Sequence, residues 1–221
     1  MFFNLINNKK ILFLGPAPHI MEPSNVEDHL DYDVVVKMNK MTEKAPFNDA
    51  SLNDRNDVLY HCLQIDLING DEPYSVEDWC AYNVGHLRIP FTGATFHYRS
   101  NINRFLNINK DYGVEHSLMP AEEFNKVQNE CDGTLPSTAT LAIADLINQG
   151  PKTLDIRGIT FGKTGYCDRY KNDQWRKNAP NRARTTKHNP DKQIEFFKLL
   201  LKKHNFILID EELKNVLDFV S

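Results

Sequence analysis

Four stretches of the chain combine residue types that do chemistry. In TKHNPDKQIEFF (Thr186 to Phe197), Asn189 is a helix N-cap and Pro190 a first helical residue, which sets His188 just ahead of a helix start. The positive end of that helix favours a neutral imidazole, the form a general base needs. A surface histidine beside a helix start is the plainer reading. In GTLPSTAT (Gly133 to Thr140), Pro136, Ser137 and Thr138 open an apolar helix. Its amide N–H groups and two hydroxyls suit an anion, although Ser137 is equally an ordinary N-cap. In GPAPH (Gly15 to His19), a glycine ends an apolar run where a backbone could approach a nucleotide. The GxGxxG fingerprint is absent, and Pro16 and Pro18 remove two backbone donors. The bland alternative there is a rigid turn after an edge strand. The fourth stretch, Asp168 to Lys187, carries Arg169, Lys171, Arg176, Lys177, Arg182, Arg184 and Lys187 against Asp168 and Asp173. It has no apolar period and reads as a long loop: a lid whose cations neutralise a phosphate, or a solvated connection.

The elements that position these residues are legible as patterns. KKILFLG (Lys9 to Gly15) and DYDVVVKMN (Asp31 to Asn39) are continuous apolar runs of the kind found in buried parallel strands. DVLYHCL (Asp57 to Leu63), HLRIP (His86 to Pro90), TLDIRG (Thr153 to Gly158) and NFILID (Asn205 to Asp210) are further strand candidates. Helices are expected at Pro120 to Glu130, at Ser137 to Asn148 with Gly150 and Pro151 behind it, at Asp191 to Lys203, and at Glu211 to Phe219. Alternating strands and helices predict an α/β fold, a Rossmann-like, mostly parallel sheet with helices on both faces. Ligands in such folds sit beyond the C-terminal strand ends. The turns after Gly15 and Asn39, the start of the Ser137 helix and the loop after Gly158 converge there.

The chain is 221 residues long, which suits one domain, residues 1–221. A net charge of -4 disfavours a broad nucleic-acid surface. No apolar stretch is long enough to span a membrane, and MFFNLIN lacks the basic flank and length of a signal peptide. Cys62, Cys80, Cys131 and Cys167 show no CxxC spacing, so zinc is not expected and free thiols in a reducing compartment such as the cytoplasm are. An excised catalytic domain of a membrane-anchored protein is the alternative origin.

Taken together, ILFLG and DYDVVVKMN resemble the large sialyl motif of the eukaryotic-type sialyltransferases, with Gly15, Asp33, Lys37 and Asn39 at matching intervals. PSTATLAIADLINQGPKTLDIRG resembles the small sialyl motif, through Pro136, Ser137 and Thr138, and His188 matches the histidine of the very small motif. The chain departs from the family at several places. Pro16 stands for Asn, Lys37 for Arg, Ala139 for Gly and Gln193 for Glu, and the cysteine pair linking the large and small motifs is absent. Tyr166 and Tyr170 are the nearest candidates for the short third motif.

The resemblance implies a glycosyltransferase A-type variant of the fold. It implies an inverting enzyme moving sialic acid from a CMP-activated donor to a glycan hydroxyl, without a metal or other cofactor. His188 is then the general base. Gly15, Pro16, Asn39, Ser137, Thr138, Gly158, Tyr166 and Tyr170 form the donor site. Alternatives are a relative using a UDP- or GDP-sugar, and a non-catalytic nucleotide or glycan binder.

Overall fold

A computed structural model describes residues 2–21, 29–42, 50–63, 76–91, 96–167 and 188–218. The expected lid at 168–187, with Tyr170 inside it, lies outside the described residues, as does Phe219. The chain begins with α1 (Phe2–Ile6) and β1 (Lys10–Leu14), followed by a 3-10 turn at Pro18–Met21. Next come β2 (Val34–Met38), α2 (Ala50–Asp54), β3 (Val58–Tyr60), α3 (Val76–Ala81) and β4 (Leu87–Ile89). Helix α4 (Phe96–Tyr112), β5 (His116–Leu118), α5 (Ala121–Glu130), α6 (Thr138–Asn148) and β6 (Thr153–Arg157) follow. Helix α7 (Pro190–Lys203), β7 (Ile207–Ile209) and α8 (Glu211–Asp218) complete the described elements.

The strands form one seven-stranded sheet in the order β5-β4-β3-β2-β1-β6-β7, and every pairing is parallel. This is a Rossmann-like α/β fold. The chain winds outward from β1 to β5, crosses back to β6, and continues to β7. The winding therefore reverses between β1 and β6, where such sheets leave a crevice for ligands. Strand β1 lies between β2 and β6, so the turn after it follows a central strand and not an edge.

Side-chain alternation along β4 shows how the two faces are covered. Leu87 and Ile89 pack with Trp79 of α3 and Ile102 and Phe105 of α4. Arg88, between them in sequence, points to the other face and meets Asp145 of α6. On that second face Phe124 of α5, Leu141 and Ala144 of α6, and Phe196 of α7 share a cluster. The valines of β2 and all of Ile11 to Leu14 are buried, as strands covered on both sides must be. Every residue of α6 from Thr138 to Ile147 is buried, so this helix is a core element. Gly150 follows it at φ +71°, the left-handed residue that ends a helix.

The two edges of the sheet differ. Helices α6 and α7 each lead into a parallel strand, so their N-termini lie at the edge where the strands end. Ser137 caps α6 by accepting a hydrogen bond from the Thr140 amide at 3.2 Å. Asn189 caps α7 by accepting from the amides of Asp191 and Lys192, and Pro190 opens the helix. No helix among the described residues is long and apolar enough to cross a membrane.

Candidate active site

At the C-terminal edge of the sheet, segments far apart in sequence are joined by side-chain hydrogen bonds. Asn39 follows β2 in a left-handed conformation (φ 47°), one that asparagine tolerates better than most residues. Its Nδ2 donates to Thr138 Oγ1 at 3.4 Å, and its Oδ1 accepts from the Cys62 amide at 3.2 Å. One amide thus ties the ends of β2 and β3 to the first turn of α6. Gln193, one turn into α7 and almost fully buried, joins α7 to the same turn. Its Oε1 accepts from the Ser137 amide at 3.0 Å and from the Thr140 hydroxyl at 2.5 Å, and its Nε2 donates to Asn189 O at 3.3 Å. A glutamate here could take the first two bonds but could not donate the third when ionised.

His188 is half-buried, and its Nδ1 lies 2.8 Å from the carbonyl of Leu135, two residues before Ser137. A carbonyl only accepts, so Nδ1 carries the proton and the lone pair of the neutral ring is on Nε2. The histidine is therefore docked on the chain that leads into α6, in the tautomer that offers Nε2 as a base. The N-terminal ends of α6 and α7 flank it, with Asp191 in the first turn of α7. The bonds that join Asn39, Ser137, Thr138, Thr140, His188 and Gln193 include no carboxylate.

Gly15, Pro16, Gly158 and Tyr166 gather one strand over. The Gly15 amide donates to Arg157 O at 2.8 Å and the Ala17 amide to Gly158 O at 3.0 Å. The close backbone approach that Gly15 permits is to Gly158. A Cβ on Gly15 would lie 2.4 Å from the Gly158 oxygen, and one on Gly158 would lie 2.6 Å from the Gly15 oxygen. Gly158 also holds φ +72°, a second reason for glycine. Pro16 is buried, and its carbonyl accepts from the Cys167 amide at 2.8 Å. Tyr166 packs against the main core, and burial raises its phenol above the ordinary value. These residues clasp the loops after β1 and β6, while Asn39, Ser137, Thr138 and His188 form the hydrogen-bonded group beside them.

Two features of this edge lie outside the base and donor-site residues expected from the sequence. His19 pairs with Asp210, at 2.8 Å. The two are 191 positions apart, so no local spacing signals the pair. The second is Gln193 itself, visible only as a departure from a motif. His61, by contrast, is fully buried in a T-shaped contact with Trp79. Its Nδ1 accepts from the Leu63 amide, and burial lowers its pKa to about 3, so it is a neutral core histidine. Lys37, the basic residue of the large-motif resemblance, is also fully buried. Its Nζ donates to Leu52 O and Asn56 Oδ1, each at 2.8 Å, so it secures the segment after β2 from inside. Among the described residues no group of three or more His, Cys, Asp or Glu side chains gathers in a way that could hold a metal ion.

No protein-family model, curated protein or solved structure matches this chain.

Proposed function

We propose that the protein is an inverting glycosyltransferase, of a glycosyltransferase A-type variant of the fold, that moves sialic acid from a CMP-activated donor to a glycan hydroxyl without a metal. The observation that carries this reading is the contact between the three segments on which the resemblance rests. Asn39 of the first bonds Thr138 of the second. His188 and Gln193 of the third bond Leu135 and Ser137 at the start of the second. Residues joined at the C-terminal ends of parallel strands stand where α/β folds bind nucleotides.

In this reading the donor phosphate lies at the start of α6, where the helix dipole opposes the negative charge that grows as CMP departs. His188 Nε2 takes the proton of the acceptor hydroxyl while its Nδ1–H stays on Leu135 O. The acceptor oxygen bonds the anomeric carbon from the face opposite the leaving phosphate, which inverts that centre. Gln193 holds the base to the phosphate end through Asn189 and Ser137. Pro16 has no N–H, and its carbonyl is taken by Cys167, so it supplies no donor to a phosphate. That leaves the nucleotide's identity as the most informative point to test.

Thermal unfolding with CMP, UMP, GMP and AMP, each with and without EDTA, tests it. A ligand at a hundred times its Kd adds about 2.7 kcal/mol. Stabilisation by CMP alone, unchanged by EDTA, is expected. Stabilisation by UMP or GMP replaces the donor, and none with any nucleotide removes the reading.

A further inference from the structure

Strands β4 and β5, remote from β1 in the sheet order, carry a second group of residues able to do chemistry. Arg88 of β4 and Ser117 of β5 are register partners in parallel strands, so their side chains share one face of the sheet. His86 and Glu115, two residues before each, lie on the same face. Both precede their strands, at the edge of the sheet opposite the one that holds His188. His86 Nε2 lies 2.7 Å from Ser117 Oγ, and His86 Nδ1 lies 3.4 Å from Glu115 Oε1. Carboxylate, imidazole and hydroxyl thus stand in series, the order in which a serine nucleophile is activated.

The direction of the protons follows from the neighbours. The Phe2 ring stacks on His86 at 5.3 Å, and the imidazole is only 1 % exposed. Burial lowers its pKa; Glu115 opposes this, while Arg88 and His116 add to it, so the ring is neutral. A carboxylate only accepts, so the ring proton is on Nδ1 and the lone pair on Nε2. Ser117 then donates its hydroxyl proton to Nε2. Arg88 Nη1 donates to the same Oγ at 3.0 Å, which holds the oxygen in place and favours negative charge on it. The gap between Nδ1 and Glu115 exceeds a good hydrogen bond, and such bonds tighten when substrate binds. The Glu115 side chain is 49 % exposed and has room to close it. Ser117 is partly exposed on an edge strand, so it is reached from solvent although its base is covered. A tie between β4 and β5 would need no more than the bond from Arg88 to Ser117; the histidine and the carboxylate behind it are surplus to that role.

We propose that Ser117 is the nucleophile of a second site, one that takes an acyl group from a carboxylic ester, with His86 as its base and Glu115 orienting that base. The site is independent of the glycosyl-transfer reading above. Ser117 Oγ bonds the carbonyl carbon of the ester while its proton passes to His86 Nε2. The bond from that carbon to the leaving oxygen then breaks, the electron pair stays on the oxygen, and His86 returns the proton to it as the alcohol departs. Water repeats the two steps on the acyl-serine: it gives a proton to His86 as it bonds the carbonyl carbon, and Ser117 recovers that proton as the carboxylic acid leaves.

The test is reaction of the full chain with p-nitrophenyl acetate, followed by nitrophenol release and by peptide mass spectrometry for the acetyl group. The expected result is acetylation of Ser117 in the parent. His86→Gln is expected to slow it about 100-fold or more. Glu115→Gln is expected to slow it about tenfold or more, and to move the midpoint of the pH profile to lower pH, because the carboxylate that raises His86 is gone. Ser117→Cys keeps a nucleophile and should be acetylated at the same position, which separates the chemistry from any loss of folding in Ser117→Ala. A parent acetylated only at surface lysines, or at Ser117 at a rate that folded His86→Gln does not change, overturns the proposal.

Discussion

Helix α6 carries two polar clusters that make opposite uses of hydrogen bonding. The deep one is centred on Asp145, which is fully buried. Arg88 grips both its oxygens, Nε to Oδ2 at 2.8 Å and Nη2 to Oδ1 at 2.9 Å, and Tyr60 donates to Oδ2 at 2.7 Å. The other guanidinium nitrogen is taken by Ser117 Oγ and Leu118 O, and the Phe2 ring covers the group. The edge cluster begins five residues earlier, about 7.5 Å along the helix, at Thr140 and Ser137. It is built from hydroxyls, amides and one imidazole, beside two helix N-termini. The deep cluster matches a cation to an anion inside the protein and pins α6 to β3 and β4. The edge cluster joins neutral hydroxyls and amides at the starts of α6 and α7, with Asp191 in the first turn of α7. One helix thus carries a buried ion pair in its middle and a neutral hydrogen-bonded group at its start.

The largest expected effect comes from breaking the deep cluster. Asp145→Ala leaves Arg88 buried without its partner and should cost about 3–5 kcal/mol. Urea unfolding reads this directly, and a loss below 1 kcal/mol would mean that the pair does not anchor the helix.

Lys37 gives a second, pH-dependent contrast. Burial lowers its amine from 10.5 to about 7, so between those values the folded chain binds fewer protons than the unfolded chain. Its contribution to stability therefore rises with pH from about 7 to 10.5, by at most about 1.4 kcal/mol per unit. Lys37→Met should have a flatter stability profile than the parent over pH 7.5 to 9.5. Parallel profiles would show that the amine does not titrate in this range.

A smaller effect on stability is expected at the edge. Gln193→Leu removes the acceptor of the Ser137 amide and Thr140 hydroxyl, at a cost of about 1–3 kcal/mol. The loss of transfer should exceed what the unfolded fraction explains, because the link between α7 and α6 also sets His188. Gln193→Glu should restore most of the stability. Equal losses in both variants would argue against the acceptor role.

Much of the fold was readable because its strands are buried on both sides. The unbroken runs of β1 and β2 and the apolar helix α6 could hardly adopt another arrangement, and Asn189-Pro190 announced α7 by cap chemistry alone. Strand β5 was not readable, since His116–Leu118 lies at an edge, is short and carries no apolar run. Helix α4 was obscured by its asparagines, two of which, Asn101 and Asn109, are buried; Asn109 bonds both the amide and the carbonyl of Val114. At the edge, residue types beside helix starts identified His188 and Ser137, because capping is local. The partners of Gly15 and His19 are more than a hundred residues away, and only the sheet order brings Gly158 and Asp210 to them. A lone Arg88 inside an apolar strand and a lone Asp145 inside an apolar helix were the sequence hints of the deep cluster.

In the proposed function His188 is a base beside a nucleotide site. The most direct measurement is transfer from CMP-activated sialic acid to a panel of glycan acceptors, for the parent chain and His188→Gln, with CMP affinity measured in both. The expected result is transfer by the parent, a loss of about 100-fold or more in the variant, and CMP affinities that agree within threefold. Transfer by His188→Gln at the parent rate would contradict the central claim.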